Sequence, residues 1–236
     1  MRALILELDA LPTLREATAA SEVDLPAAAT LAELAGVDAV RLGVNLDRKP
    51  VREEDLQDLR RTARRLELRM APSEALLAIA LETRPDRVLL AADAREGRTA
   101  TDPLDLRGGS EGLTPVVRAL AEAGIPTHAL VSPSLDAVKQ MHAHGLAGIE
   151  LYTGAAVDLP TREREQALIE LGDAARLAAK VGLEVGLGGG LGYRNLPDVT
   201  QAAPSAVRVA VGRAALTRAV LVGLDQALRD LRERVG

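Results

Sequence analysis

Eight short apolar runs alternate with amphipathic stretches along the whole chain, and this alternation constrains the fold more than any other feature. Each run is four to six residues long and mostly aliphatic, as expected for parallel strands that are buried on both faces. The runs are Ala3–Leu8, Ala39–Leu42, Glu67–Met70, Arg87–Ala91, Thr127–Val131, Gly148–Tyr152, Glu184–Leu187 and Val207–Val211.

Capping residues and glycines mark the helices between these runs. They predict helices over Ala27–Ala35 (after Asp24), Glu74–Thr83 (after Ser73), Leu113–Ala123, Leu135–His144 (after Ser134), Thr161–Val181 and Ala214–Arg234. Eight β–α alternations without a change in composition predict an α/β fold, a single (β/α)8 barrel over residues 1–236. The alternative is an open doubly wound sheet, but no glycine-rich fingerprint follows the first run.

The composition fits one barrel and argues against several classes of protein. A chain of 236 residues with 47% hydrophobic residues can bury a large core, although its aromatic residues are only two tyrosines. The net charge of −5 and the dispersed basic residues argue against a nucleic-acid partner. The lack of cysteine excludes disulfides and thiolate metal sites. No signal peptide and no apolar stretch of membrane-spanning length are seen, so we expect a cytoplasmic protein without a membrane partner.

Two glycine-rich segments follow the last two runs. They are Gly188-Gly189-Gly190-Leu191-Gly192 and Gly212-Arg213. In many barrels the corresponding loops hold a phosphate, because backbone N–H groups approach an anion closely where Cβ atoms are absent, and a helix N-terminus adds positive potential. The simpler alternative is that these glycines only permit tight turns. Both tyrosines, Tyr152 and Tyr193, fall at the same end of the predicted barrel.

Charged residues interrupt the apolar runs at Glu7, Glu67, Arg69, Glu150 and Glu184. Glu67 and Arg69 are two apart, so their side chains point the same way along a strand. Charges that face the barrel interior must be paired, because an isolated buried charge is very costly. Structural ion pairs are therefore predicted among these residues. Acid–base groups with a raised pKa are the alternative.

The histidines and the longest connections are the remaining candidates. His142 and His144 lie near the end of a predicted helix, where a solvated cation meets the helix dipole. His128 lies inside a run and is predicted to be a buried core residue; no histidine has metal-ligand spacing. The connections Asp9–Asp24 and Ala92–Ser110 are long enough to be lids or binding segments.

Several of these segments, in this order, resemble the pyridoxine 5′-phosphate synthase family over nearly the whole chain. The matching motifs are Asp9–Arg15 (family D-H-x-A-T-L-R), Asp47–Pro50 (D-R-R-H), Met70–Pro85 (the third β–α unit), Ile149–Gly154 (E-[IL]-H-T-G), Gly188–Asn195 (G-H-G-L-[TN]-Y-x-N) and Val211–Ala214 (I-G-H-A).

The resemblance implies a (β/α)8 barrel that assembles as a homo-oligomer, a dimer or an octamer. It implies condensation of 1-deoxyxylulose 5-phosphate with 3-amino-2-oxopropyl phosphate, without a metal or organic cofactor, through proton transfers by histidine and glutamate. It places phosphate at the strand-seven and strand-eight loops, at Gly188, Gly189, Gly190, Gly212 and Arg213. It also implies Glu150 as a retained catalytic position and a pocket that includes Asp9, Asn45, Tyr152, Thr153 and Tyr193.

The departures from the family pattern fall on its acid–base positions. Where the family has histidine, this chain has Ala10, Gly43, Pro50, Tyr152, Gly189 and Arg213. Arg69 stands where the family has its catalytic glutamate, Glu7 where it has asparagine, and Asn45 where it has arginine. Alanine, glycine and proline have no proton to transfer, and arginine is no base at neutral pH.

Three hypotheses follow from these residues. The first is a degenerate relative that keeps the barrel and an anion site and binds a phosphorylated ligand or a protein partner. The second is an enzyme of changed chemistry that uses Glu7, Glu67 and Glu150 with Arg69. The third is an active pyridoxine 5′-phosphate synthase with replacement residues.

Overall fold

Eight parallel strands close into a barrel in the computed structural model, which describes residues 1–20, 22–93, 102–106, 112–158 and 160–235. The strands are β1 (Ala3–Glu7), β2 (Ala39–Val44), β3 (Leu66–Met70), β4 (Arg87–Leu90), β5 (Thr127–Val131), β6 (Gly148–Tyr152), β7 (Glu184–Gly188) and β8 (Arg208–Val211). Each strand pairs with its neighbours in chain order, and β8 pairs with β1 to close the barrel. The predicted (β/α)8 barrel is confirmed.

Helices connect these strands around the outside of the barrel. Within the described ranges they are α1 (Ala10–Thr18), α2 (Leu25–Leu34), α3 (Glu53–Thr62), α4 (Glu74–Thr83), α5 (Leu113–Glu122), α6 (Leu135–Ala143), α7 (Gly154–Asp158), α8 (Thr161–Lys180), α9 (Leu196–Ala202), α10 (Arg213–Val222) and α11 (Leu224–Val235). Over the same ranges, no helix combines the length and the apolar character that crossing a membrane requires.

Side-chain caps fix three of the predicted helix starts. Asp24, Ser73 and Ser134 each accept a hydrogen bond from the backbone N–H three residues further on, at 2.9, 3.3 and 3.1 Å. The prediction of one last helix over Ala214–Arg234 is wrong. Gly223 has a φ of 83°, and because a right-handed helix cannot continue through that conformation, the segment divides into α10 and α11.

The connection Asp9–Asp24 after β1, predicted as a lid or a binding segment, contains a helix, and its first two residues line the cavity described below. It contains α1, and the guanidinium of Arg15 binds both carboxylate oxygens of Asp55 at 2.7 and 2.8 Å. This buried bidentate pair ties α1 to α3, so the segment is fixed against the barrel. Most of the other long connection, Ala92–Ser110, lies outside the described residues.

The large apolar core lies between the strands and the helices, not inside the barrel. Leu4, Leu6 and Leu8 of the β1 segment belong to this outer core. Two small apolar clusters lie apart from it, at Ile5, Ala39 and Ala210 and at Leu89, Ala91 and Leu130. Branched aliphatic side chains fill most barrels of this type. Here charged side chains and glycines occupy much of the interior.

Candidate functional site

Arg41 of β2 is the centre of the charged interior. Its side chain is 1% exposed and pairs with Glu150 at 2.7 Å, Glu67 at 2.9 Å and Glu7 at 3.4 Å. Burial disfavours the charged form, but Glu150 and Glu67 outweigh burial and raise the pKa of Arg41 above its usual value. Arg41 lies inside the predicted run Ala39–Leu42, at a position that the sequence analysis did not single out.

Arg69 of β3 forms a second cluster nearer the carboxyl ends of the strands. It is buried and donates to Asp9 at 3.1 and 3.3 Å and to Glu7 at 3.4 Å. The prediction that Arg69 has a carboxylate neighbour is therefore confirmed. Arg69 does not reach Glu150, which pairs with Arg41 instead, and Glu67 pairs with Arg41 and Arg208.

The opposite end of the barrel interior holds His128, Arg87, Arg208 and Glu184. Glu184 pairs with Arg87 at 2.7 Å and with Arg208 at 3.3 Å, two cations outside the set of residues among which the ion pairs were predicted, and its side chain is only partly buried. His128 is 2% exposed and contacts Arg87. Burial, and secondly the charge of Arg87, lower the pKa of His128 well below its usual value, so the ring is neutral at pH 7. This confirms His128 as a buried core residue.

Glycines at inward positions make room for the charged side chains. A methyl group at Gly43 would collide with the Arg69 guanidinium and would lie 2.6 Å from a carboxylate oxygen of Asp9. A methyl group at Gly188 would collide with the carboxylate of Glu150. The family pattern has histidine at position 43. Any side chain at this position would collide with Arg69, so the replacement of the histidine by glycine and the presence of Arg69 are sterically linked.

A cavity of about 400 Å³ opens at the carboxyl ends of the strands, where barrel enzymes place their sites. Of the predicted site residues, Glu7, Asp9, Arg69, Glu150, Tyr152, Gly189, Gly190, Gly212 and Arg213 line this cavity. The remaining lining residues are Ala10, Leu130, Leu191, Ala210, Ala214 and Thr217.

Tyr152 occupies a slot between two glycines at the cavity wall. Methyl groups at Gly154 or Gly189 would lie within 2.6 Å of its ring. Gly189 and Tyr152 both stand where the family has histidine, and a side chain at position 189 is incompatible with the ring of Tyr152 in this position. Two of the departures from the family pattern are thus coupled through packing.

The loop after β7 and the start of α10 provide backbone donors on one side of the cavity. Gly189 and Gly190 have φ values of 94° and 77°, a backbone conformation that residues with a side chain rarely adopt. The first hydrogen bond of α10 runs from Leu216 N to Gly212 O, so the N–H groups of the three preceding residues lack helical partners. Arg213 is exposed and has no ion-pair partner among the described residues.

Four predicted site residues do not line the cavity. Gly188 lies against the Glu150 side chain, and the hydroxyl of Thr153 donates to the carbonyls of Gly188 and Gly189, which fixes the loop. Asn45 donates to the carbonyl of Lys49 at 2.8 Å.

The fourth is Tyr193. Its hydroxyl donates to the carbonyl of Ala227 at 2.8 Å, and its ring lies under the guanidinium of Arg218, 5.0 Å from the ring centroid. These contacts give Asn45, Thr153 and Tyr193 structural roles. Tyr193 connects the strand-seven loop to α10 and α11.

Comparison with protein-family models shows which family this chain belongs to. The model described as "Pyridoxal phosphate biosynthesis protein PdxJ" matches residues 4–236. The chain belongs to the PdxJ family. A relative from Geobacter metallireducens, named pyridoxine 5′-phosphate synthase, is 37% identical over 98% of this chain and 97% of its own length. A relative of the same name from Synechococcus sp. is 36% identical over 100% and 99%.

Solved structures agree with the PdxJ assignment at the level of the fold. A 3-hexulose-6-phosphate synthase superposes with a TM-score of 0.66 at 16% identity, over 100% of both chains. A tryptophan synthase chain from Mycobacterium tuberculosis superposes with a TM-score of 0.67 at 19% identity, over 99% of this chain and 92% of its own. At these identities the likeness concerns the barrel alone.

Proposed function

We propose that this PdxJ-family chain binds a phosphate monoester at the carboxyl end of its barrel and does not perform the family's ring-closing condensation. The observation that most directly supports the binding site is the side of the cavity formed by Gly189, Gly190 and the start of α10. Backbone N–H groups at the start of α10 lie there together with the guanidinium of Arg213, which has no ion-pair partner among the described residues. A guanidinium is always charged and matches the geometry of phosphate oxygens.

The proposed loss of the condensation is supported by the groups that line the cavity. Ala10 and Gly189 have no proton to transfer, and Arg69 provides a cation where the resemblance implies a carboxylate base. Glu150 is retained, but both of its carboxylate oxygens bind Arg41, at 3.0 and 2.7 Å. Each lost acid–base group costs on the order of 10²–10⁴ in rate.

A second candidate function is the synthase activity itself. It is favoured by the names of relatives that are 34–37% identical and cover nearly the whole chain. The relatives' names support this candidate, whereas the replaced side chains support the first.

An assay with the two family substrates separates the two candidates. We expect no ring closure by the purified chain, because the acid–base positions are replaced together. Product formation would be followed by mass spectrometry, with an intact relative as the positive control. Turnover at about 1 s⁻¹ or above, as ordinary enzymes show, would establish the synthase and refute the proposed loss.

The proposed anion site predicts a specific effect of Arg213. Ethyl phosphate should bind the wild-type chain, and Arg213→Ala should weaken that binding about tenfold or more, since hydrogen bonds to charged groups contribute roughly 1.5–3 kcal/mol. Arg194→Ala is the matched control, because Arg194 is exposed in the same region but does not line the cavity. Calorimetry measures both. Equal affinities for the wild type and Arg213→Ala would contradict the site.

A further inference from the structure

Glu7 presents an open carboxylate oxygen to the cavity. Its side chain is 23% exposed, more than those of Asp9 and Glu150, the other cavity carboxylates. Its Oε1 atom accepts from Arg41 and Arg69, in both cases at the long distance of 3.4 Å. Its Oε2 atom has no hydrogen-bond donor among the described residues. A methyl carbon built on Gly212 would lie 3.2 Å from this oxygen, so it faces the proposed phosphate end.

This position has an electrostatic consequence for the ligand. A phosphate beside Gly212 would face the carboxylate of Glu7, and two anions at short range repel each other most strongly where water is excluded. A cationic group on the ligand, placed beside Glu7, converts this repulsion into attraction. An ammonium group also donates the hydrogen bond that Oε2 lacks.

Arg69 offers the complementary group beside Glu7. A guanidinium has five N–H donors. Arg69 makes three hydrogen bonds within the described residues, two to Asp9 and one to Glu7. Two donors of this cavity-lining side chain therefore remain. They fit a ligand carboxylate, which binds a guanidinium through short, charge-assisted hydrogen bonds.

We infer that the ligand is a phosphorylated amino acid, with its ammonium on Glu7, its carboxylate on Arg69 and its phosphate at Arg213 and the start of α10. This inference rests on the proposed anion site and names the class of ligand. The adjacent anion and cation match the adjacent ammonium and carboxylate of an α-amino acid. A phosphorylated amine without a carboxylate leaves the Arg69 donors unused, and a phosphorylated acid without an amine sets a further negative charge near Glu7.

Four small phosphate esters test the inference by calorimetry on the full chain. They are O-phospho-L-serine, O-phosphoethanolamine, 3-phosphoglycerate and ethyl phosphate. We expect O-phospho-L-serine to bind at least tenfold more tightly than each of the others. Equal affinities for all four overturn the inference. An affinity of O-phosphoethanolamine that matches that of O-phospho-L-serine also overturns it, because Arg69 then contributes nothing.

A variant of Glu7 tests the same inference independently. In Glu7→Gln, O-phospho-L-serine should bind at least tenfold more weakly, while ethyl phosphate binds at least as well as it does to the wild type. Glu184→Gln is the matched control: it removes an interior carboxylate at the opposite end of the barrel and should leave all four affinities unchanged. If Glu7→Gln does not fold, the ranking of the four ester affinities on the wild-type chain still tests the inference.

The test distinguishes this inference from the proposed function on which it rests. If none of the four esters binds, the anion site itself has failed. If the esters bind and Arg213→Ala weakens them all, but they do not differ from one another, the anion site stands and the amino-acid assignment is wrong.

Discussion

Replacing Arg41 with methionine should lower the free energy of unfolding by about 3–5 kcal/mol at neutral pH. Methionine fills much of the volume of the arginine side chain but supplies none of its donors. Glu150 loses both of its Arg41 hydrogen bonds, and Glu67 keeps Arg208 and Arg87 as its partners. The buried carboxylate of Glu150, left without a cation, accounts for most of the cost, and urea unfolding of both proteins measures it.

The loss of stability in Arg41→Met should be greater at neutral pH than at acidic pH. Burial raises the pKa of Glu67, but Arg41 and Arg208 outweigh burial and hold it below the ordinary value of 4.5. A carboxyl group with a lowered pKa stabilises the fold above its unfolded-state pKa, and this contribution disappears as the pH falls through the folded-state pKa. The difference between wild type and Arg41→Met should therefore be largest near pH 7 and should narrow below about pH 4.5.

Arg118→Met is the control for this prediction. Arg118 also pairs with a glutamate, Glu122, at 3.1 Å, but both side chains are exposed on α5. An exposed pair four residues apart on a helix contributes about 0.3–0.5 kcal/mol. A loss in Arg41→Met as small as that in Arg118→Met would show that the interior network contributes little to stability.

The fold follows from local signals, which is why the sequence predicts it closely. The apolar runs of the strands and the capping side chains of Asp24, Ser73 and Ser134 act within a few residues of one another. The sequence does not predict the break at Gly223, because a glycine inside an amphipathic helical pattern is compatible with an unbroken helix. Only the structure shows its φ of 83°, at which α10 ends and α11 begins.

The ion pairs of the barrel interior are harder to predict from the sequence, because the paired residues come from strands that are far apart in the chain. The sequence indicates that Arg69 must have a carboxylate, but the choice of Asp9 over Glu150 depends on barrel geometry. Arg41 could have been found: it lies two residues before Gly43, at an inward position of its run. The roles of Asn45, Thr153 and Tyr193 are not visible from motifs, since their hydrogen bonds to backbone carbonyls carry no sequence signature.

The steric link between Gly43 and Arg69 gives a second large effect. Gly43→Ala should lower the free energy of unfolding by about 1–3 kcal/mol, the usual cost of overpacking a filled interior. The added methyl group meets the Arg69 guanidinium and the Asp9 carboxylate, which are held by their ion pair and by the hydrogen bond from Gly43 N to Asp9 at 2.7 Å. Gly186→Ala is the matched control, because the same addition inside β7 meets atoms only at 3.5 Å and beyond.

A double-mutant cycle identifies Arg69 as the cause. In an Arg69→Ala background the guanidinium is absent, while Asp9 still accepts from the backbone N–H of residue 43 at 2.7 Å. Gly43→Ala should therefore cost at least about 1 kcal/mol less than it does in the wild type, because residues in contact show coupling energies of about that size. Because position 43 is a histidine in the family pattern, the same cycle tests whether Arg69 and that histidine exclude each other. If the two substitutions are additive to within about 0.5 kcal/mol, as independent sites are, the cost at Gly43 comes from Asp9 or the backbone, and the departures at positions 43 and 69 are unrelated.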